Sequence, residues 1–318
     1  MAGIEAKLTD FPAGITAIDA DYVRPGLAAA HLVVDEGRAA FIDTGTTLSL
    51  PNLLGALEAR GVDRADVDWV LATHVHLDHA GGAGALMREL PNARCAVHPR
   101  GAQHLAEPSK LIAGSIAVYG EARYRELYGE IVPVDKERML VPQDGERIEL
   151  GSRTLELIHT PGHALHHYCV VDLDDDLIFS GDTFGISYRD TDVDGRAFIF
   201  PTTTPVHFDP EALCKSVDRL MNYEPQAIYL THYAEVRDLG RLAGEMKDRV
   251  RAFADLGRRH ADAPDRAAKL RNGMFALLSR WLDEHGYTSD EARRHWLLDD
   301  DVELNSQGIE VWLERSKS

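Results

Sequence analysis

The sequence predicts an α/β protein whose strand-rich part is followed by a helical extension. Hydrophobic residues make up 44% of the 318 residues, which is enough to bury a substantial core. Short apolar runs bounded by turn residues recur until about residue 238, and after that apolar residues recur every three or four positions. We therefore expect a first domain at residues 1–240, with a helical insertion around residues 100–131, and a helical C-terminal extension at residues 241–318.

The elements of the first domain follow from local patterns. Two apolar runs flank Glu36-Gly37 and predict a hairpin over residues 31–43. Asp209 precedes Pro210, a combination typical of a helix start. Helical spacing appears at residues 50–60 and 82–90. Further apolar runs predict strands at residues 68–73, 147–150, 154–159, 168–171, 177–180 and 226–230.

Charge and composition narrow the classes of partner. The formal net charge is −18, and no basic stripe is present to neutralise phosphates. We therefore expect no nucleic acid partner and no binding to anionic membrane surfaces. No apolar run approaches the length of about 18 residues that a membrane span needs. The partner that we expect is a small-molecule substrate.

Two features predict a cytoplasmic location. The N-terminal stretch, residues 1–14, lacks the apolar segment of a secretory signal. The three cysteines, Cys95, Cys169 and Cys214, show no metal-like spacing and are typical of reduced thiols.

A histidine-rich loop carries the strongest functional signal. His74, His76, Asp78 and His79 follow a predicted buried strand and precede a predicted helix. Side chains two apart in extended chain point to the same side, so His74 and His76 are expected to converge. Burying three imidazoles and a carboxylate without partners would lower the stability of the fold by roughly several kcal/mol for each group. A divalent metal removes that cost, because neutral imidazole and carboxylate are its usual ligands.

Three further ligand candidates follow other predicted strands. His163 lies in the turn after strand 154–159, and Asp182 directly follows strand 177–180. His232 comes directly after strand 226–230. Each alone is a common turn residue, but together with the loop at 74–79 they predict a site that holds more than one metal.

Together these motifs resemble the metallo-β-lactamase superfamily over roughly residues 15–238. The resemblance rests on Asp43-Thr44-Gly45, the loop at 74–79, His163, Asp182 and His232, in the family's order. It implies an αββα sandwich of two sheets covered by helices, with the site in a cleft at one end of the sheets. An aspartate at position 182, together with His79, is similar to the Asp-bridged dinuclear branch that includes glyoxalase II.

The resemblance also implies a role for each residue. His74, His76 and His163 would hold one metal, while Asp78, His79 and His232 would hold the other. Asp182 would bridge the two ions, and Asp43 would accept a hydrogen bond that orients a ligand histidine. The implied cofactors are two divalent ions, zinc by default, with iron and manganese left open.

The expected chemistry is hydrolysis of a small ester, thioester or lactone. Two ions about 3.5–4 Å apart would share a water and lower its pKa to about 7, so that a hydroxide attacks the carbonyl. Asp78 is the predicted catalytic residue, which steers the hydroxide or relays its proton. Acyl-homoserine lactonases carry a tyrosine three residues after the bridging aspartate, where this chain has Gly185.

Two alternatives stay open at this point. One is a mononuclear-iron persulfide dioxygenase of the same fold, and the other is a non-catalytic binding or sensor protein. The amphipathic extension at residues 241–318 could pack on its own domain or on a second copy of the chain, and we expect a homodimer. The segment at 100–131 would form an apolar wall if it covers the cleft. The doublet His166-His167 is interpreted as structural.

Overall fold

The computed structural model describes residues 7–203 and 207–317. Residues 1–6 therefore lie outside the described ranges. They belong to the N-terminal stretch, residues 1–14, from which the absence of a secretory signal is predicted. The strands are β1 (Leu8–Phe11), β2 (Ile15–Asp19), β3 (Ala29–Asp35), β4 (Arg38–Ile42), β5 (Val67–Ala72), β6 (Arg94–Val97), β7 (Met139–Leu140), β8 (Glu146–Leu150), β9 (Arg153–His159), β10 (Tyr168–Asp172), β11 (Leu177–Gly181), β12 (Ala227–Leu230) and β13 (Ala234–Val236). The helices are α1 (Leu50–Arg60), α2 (Leu77–Ala80), α3 (Ala83–Glu89), α4 (Ala102–Ala106), α5 (Ser109–Tyr119), α6 (Glu121–Tyr128), α7 (Pro210–Met221), α8 (Leu239–His260), α9 (Arg266–His285) and α10 (Glu291–Arg315).

The first sheet has the order β1-β2-β3-β4-β5-β6-β7. Its first four strands are antiparallel, and β4 to β7 are parallel. The predicted hairpin between β3 and β4 is confirmed. Its turn has Glu36 at φ 48° and Gly37 at φ 77°, and two positive φ values are what a two-residue hairpin turn requires. The parallel half places the ends of β4 and β5 side by side, which brings the segments after them together.

The second sheet has the order β13-β12-β11-β10-β9-β8. All residues of β10 and β11 are buried, and most of them are apolar. The two sheets meet through the buried His31 of β3, whose ring lies edge-on to Phe179 of β11 at 5.4 Å and to Tyr229 of β12 at 5.6 Å. Aromatic edge-to-face packing of this kind joins the two inner faces.

The chain divides into two compact units. The first comprises residues 1–159, 166–181 and 228–235, and it contains the strands of both sheets apart from single residues at the ends of β12 and β13. The second comprises residues 160–165, 182–227 and 236–318, and it contains α7 to α10. The predicted domain boundary at residue 240 stays a prediction.

The second unit is held by helix packing and by a few buried polar contacts. Helix α7 begins as predicted, with Asp209 accepting hydrogen bonds from the backbone N–H groups of Glu211 and Ala212. Thr203 donates its hydroxyl to the backbone oxygen of Asn305 on α10 at 2.9 Å. These contacts tie the segment before α7 to the last helix.

The predicted fold class and the helical C-terminal extension are confirmed. Helices α8, α9 and α10 occupy nearly all of residues 239–315. Helices α4, α5 and α6 occupy the region of the predicted insertion. No helix among the described residues combines the length and the apolar character needed to cross a membrane.

Candidate metal centre

The histidine-rich loop leaves the first sheet at the end of β5. The chain bends at Thr73 and His74, is extended at His76 and then forms the short helix α2, which carries Asp78 and His79. The expected convergence of the two histidines is present, because Nε2 of His74 lies 2.8 Å from Nδ1 of His76. His74 and His79 are fully buried, and Asp78 keeps 21% of its side chain exposed. The loop therefore presents its ligand candidates at the carboxyl end of a parallel strand.

Asp43 joins three segments of this region through one carboxylate. Its Oδ2 lies 2.9 Å from Nδ1 of His79 and accepts the hydroxyl of Thr231 at 2.8 Å. Its Oδ1 accepts the backbone N–H of Thr73 at 2.8 Å. Thr73 and Thr231 directly precede His74 and His232, so Asp43 anchors the backbone at two ligand candidates and the ring of a third. The geometry matches the role that the resemblance implies for Asp43.

His232 reaches the same loop from the end of β12. Its Nδ1 lies 2.8 Å from the carbonyl oxygen of Leu27, and its Nε2 lies 3.5 Å from Oδ2 of Asp78. Nε2 of His79 lies 3.6 Å from the same carboxylate oxygen. Asp78, His79 and His232 each offer one ligand atom, and these atoms lie within 4.8 Å of one another. They form the first of two ligand groups.

His163 is positioned by a glycine turn. Gly162 has φ 133°, and a Cβ there would lie 2.3 Å from the Cα of Leu213, so only glycine fits. The carbonyl of Gly162 accepts the backbone N–H of Asp209, at the start of α7. The turn at Gly162 orients His163 so that its Nε2 lies 3.3 Å from Oδ2 of Asp182.

The second ligand group combines these two residues with the histidine loop. His74, His76, His163 and Asp182 offer ligand atoms that all lie within 4.8 Å of one another. His76 is half-buried, and the other three side chains are buried. The structure thus brings together all seven residues that the sequence analysis names as ligand candidates, divided into groups of four and three.

The hydrogen bonds around the histidines test whether a metal fits. Nδ1 of His232 faces the carbonyl of Leu27, and Nδ1 of His163 faces that of Thr202 at 3.3 Å. Because a carbonyl only accepts, each Nδ1 donates, and the neutral ring keeps its lone pair on Nε2. Both Nε2 atoms then face carboxylate oxygens, at 3.5 Å and 3.3 Å. A lone pair on Nε2 and a carboxylate oxygen that face each other need a shared proton or a cation between them. These ligand atoms therefore fit a divalent metal.

Two histidines beyond the ligand candidates also belong to this region. The ring of the buried His167 stacks on His74 with centroids 4.9 Å apart, and His166 lies edge-on to His76 at 5.4 Å. A Cβ on Gly181 would lie 2.6 Å from Nε2 of His167. The sequence analysis interprets this doublet as structural, and its position three residues after His163 is the signal that it lies beside the site.

A separate histidine pair lies at the ends of β6 and β9. The rings of His98 and His159 have centroids 4.1 Å apart. Burial is the largest cause that lowers the pKa of His98 to about 4, and the neighbouring His159 and Arg100 act in the same direction. His98 is therefore neutral at physiological pH, and its Nδ1 accepts the backbone N–H of Arg100 at 3.1 Å.

Comparison with known proteins identifies the family. The sequence profile of the metallo-beta-lactamase superfamily matches residues 23–232. The metallo-beta-lactamase fold-containing protein ST1585 of Sulfurisphaera tokodaii is 27% identical over 212 residues, which cover 65% of this chain and 73% of that protein. The acyl-coenzyme A thioesterase MBLAC2 of Bos taurus is 37% identical over 156 residues, which cover 44% of this chain and 52% of that protein. The chain therefore matches about half the length of MBLAC2.

The fold comparison agrees with the sequence comparison. The crystal structure of ST1585 from Sulfolobus tokodaii aligns with a TM-score of 0.65 at 22% identity, covering 93% of this chain and 98% of that one. Both sheets and the helical extension are therefore parts of a known architecture. The profile spans more than half of the chain and includes Asp43 and all seven ligand candidates. The chain belongs to the metallo-beta-lactamase superfamily.

Proposed function

We propose that this protein is a dinuclear metal-dependent hydrolase that cleaves a small ester, thioester or lactone. The observation that carries the proposal is the convergence of seven ligand candidates from four chain segments into two adjacent groups. A single metal needs only one of these groups. The relative named as an acyl-coenzyme A thioesterase, at 37% identity, supports a thioester within this range of substrates.

The proposed ligands divide as the two groups do. His74, His76 and His163 would hold one ion, and Asp78, His79 and His232 would hold the other, while Asp182 would bridge them. Zinc is the default metal, with iron and manganese as alternatives of similar ligand preference. When bound, two such ions supply a hydroxide near neutral pH and offset negative charge on the substrate's carbonyl oxygen.

The chain's own residues orient this chemistry. Asp43 holds the ring of His79 through Nδ1, so Nε2 points inward. Leu27 does the same for His232. Asp78, which is partly exposed beside both rings, is the proposed proton relay. In the reaction a water adds to the carbonyl carbon, the bond to the leaving oxygen or sulfur breaks, and the leaving group departs with a proton as an alcohol or thiol.

The structure favours esters and thioesters over homoserine lactones. Gly185 has φ 88°, and a Cβ there would lie 2.5 Å from the backbone oxygen of Phe200 and 2.8 Å from Sδ of Met246. A tyrosine does not fit at this position, which is where the lactonase branch carries one. Lactones stay within the proposal as the weaker substrate class.

Other features of the protein stay proposals. We propose a cytoplasmic protein that acts on a small molecule, without a nucleic acid or membrane partner, and that forms a homodimer. The net charge of −18 supports the exclusion of nucleic acid. We also keep the domain boundary at residue 240 as a proposal.

Metal quantification followed by a substrate panel tests the function. The purified protein is expected to hold about two ions per chain, as dinuclear sites do, and to hydrolyse a thioester or ester. His76→Ala and Asp182→Ala are expected to abolish both metal loading and turnover. Full activity with unchanged metal content in either variant contradicts the assignment. One iron per chain with oxygen uptake on a persulfide supports the dioxygenase instead, and a metal-loaded protein inert to the whole panel supports a binding protein.

A further inference from the structure

Helix α5 is apolar, yet none of its residues is buried. Its sequence from Ser109 to Tyr119 contains Leu111, Ile112 and Ile116, but every side chain is half-buried or exposed. A helix of this composition normally covers its apolar stripe with the rest of the protein. Here the stripe formed by Leu111, Ile112, Ile116 and Tyr119, which we name the α5 face, is only partly covered.

The α5 face packs close to the candidate metal centre in the chain. It contacts a buried cluster of Leu77, Tyr124, Leu127, Tyr128 and Ile131. Leu77 lies between the ligand candidates His76 and Asp78 in the chain. The α5 face is therefore linked to the ligand loop through one buried apolar cluster.

A tyrosine pair lies at this cluster. The hydroxyls of Tyr22 and Tyr128 lie 2.9 Å apart and the two rings stack with centroids 5.8 Å apart. Because the two hydroxyls bond to each other, the ring surfaces add apolar area to the cluster that contains Leu77.

Exposed apolar side chains also lie on or near these helices. Among the described residues, Val118 on α5 is 48% exposed, and Val23, next to Tyr22 in the chain, is 44% exposed. Leu48 is 56% exposed and approaches Gly129 at the end of α6, where a Cβ would lie 3.0 Å from Cδ2 of Leu48. Apolar groups around α5 and α6 are therefore accessible to solvent.

We propose that the α5 face binds an aliphatic acyl chain of the substrate, so that the enzyme prefers medium-chain over acetyl thioesters. This inference rests on the proposed function, because the scissile carbonyl must lie at the metal centre. The group attached to that carbonyl then extends over the adjacent surface, which is the α5 face. An uncharged, flexible chain matches a surface that offers half-buried Leu and Ile side chains and no charged group among its four members.

Thioesters that share one thiol and differ only in acyl length test the proposal. The probes are the acetyl and octanoyl thioesters of N-acetylcysteamine, used with the metal-loaded full chain. Wild-type kcat/KM is expected to be higher for the octanoyl thioester by about tenfold or more, since its six additional methylenes can be buried on the α5 face. The double variant Ile112→Ser/Ile116→Ser is expected to lower the octanoyl-to-acetyl ratio at least about tenfold. Ala117→Ser, at an exposed position on the same helix but outside the α5 face, is the matched control and keeps the ratio.

A binding measurement separates this proposal from the function. Calorimetric titration with octanoate, the product, is expected to show binding to the wild type and at least about tenfold weaker binding to the double variant. Metal content and circular dichroism establish that the variant is folded.

Each outcome is decisive for one of the two proposals. Equal rates on both thioesters overturn the acyl-chain proposal and leave the hydrolase intact. Octanoate binding that depends on Ile112 and Ile116, without turnover of either thioester, supports the acyl-chain site and contradicts the hydrolase. A double variant that changes the oligomeric state while keeping the ratio shows that a second copy of the chain covers this face, and overturns the proposal.

Discussion

Oδ2 of Asp43 lies 2.9 Å from Nδ1 of His79, on residues that are 36 positions apart in the chain. Both side chains are fully buried, so the hydrogen bond is shielded from water. The bond selects the tautomer of His79 whose Nε2 is available to a metal. The same carboxylate also accepts from Thr73 and Thr231, and Asp43 is therefore the residue on which the ligand arrangement depends.

Asp43→Asn is expected to weaken metal binding more than it weakens the fold. An amide keeps the size of the side chain but presents N–H donors where donors already point. Metal affinity is expected to fall by about 10–100-fold, as for other partners of ligand histidines. Competition with a chromogenic chelator measures this change. Glu58→Gln, an exposed carboxylate on α1, is the control, and an equal loss in both variants contradicts the role of Asp43.

Gly181→Ala is expected to disturb the metal centre through two close contacts. The added Cβ would lie 2.6 Å from Nε2 of His167 and 2.7 Å from Oγ1 of Thr73, and φ is already 49°. Because Thr73 precedes His74 and Asp182 follows Gly181, we expect metal affinity to fall about tenfold or more.

Gly195→Ala is the matched control for this change. Its φ is 74°, but nothing lies within 4 Å of the added Cβ. It therefore carries the positive-φ penalty, about 1–2 kcal/mol, without the contacts. Metal titration and thermal unfolding of both variants separate the two effects, and normal metal affinity in Gly181→Ala would falsify the prediction.

His31 is expected to make stability depend on pH. Burial between the sheets lowers its pKa to about 4, although nearby Asp43 acts in the opposite direction. Among the described residues its Nε2 has no hydrogen-bond partner. In the unfolded chain the His31 side chain has an ordinary pKa of about 6.5 and binds a proton below that pH, whereas in the folded chain it stays neutral down to about pH 4. The free energy of unfolding therefore falls as the pH drops from about 6.5 towards 4.

His31→Leu is expected to remove this part of the pH dependence, which amounts to about 2–3 kcal/mol across the window. Urea unfolding at pH 7 and at pH 5 measures it in both proteins. His295→Gln changes a histidine whose side chain is 46% exposed and serves as the control. An unchanged pH dependence in His31→Leu rules out this explanation.

Arg249 is expected to be a major source of stability in the second unit. Its guanidinium lies over the rings of Phe198 at 4.4 Å and Trp281 at 5.3 Å, and it pairs with Glu245 at 3.1 Å. Burial lowers its pKa to about 10, so it stays charged at neutral pH.

Arg249→Met leaves the buried carbonyl of Ile199 and the carboxylate of Glu245 without this donor. The expected loss is about 2–4 kcal/mol, seen as a lower Tm in calorimetry. Arg251→Met, whose side chain is 60% exposed in the wild type, is expected to change the stability by less than about 0.5 kcal/mol. Similar Tm values for the two variants would contradict the role of Arg249.

Local patterns determined much of what the sequence analysis predicts. The bounds of α1 match the predicted helix at residues 50–60, because apolar spacing and the glycine after Arg60 are local signals. The seven ligand candidates were also identified from sequence, because each follows a buried strand directly and has metal-binding chemistry. Strands β1, β2, β6, β7 and β13 were not predicted, and four of them have only two to four residues, which are too few to show a period.

Only the tertiary structure decided which side chains meet. The convergence of Asp43 with Thr73 and Thr231, the stacking of His167 on His74 and the exposure of α5 all depend on chain segments that are far apart in sequence. A sequence pattern reports which face of an element is apolar, whereas burial depends on what packs against that face. Hydrogen-bond partners are likewise chosen by proximity in the fold, and proximity across sheets and helices leaves no period in the sequence.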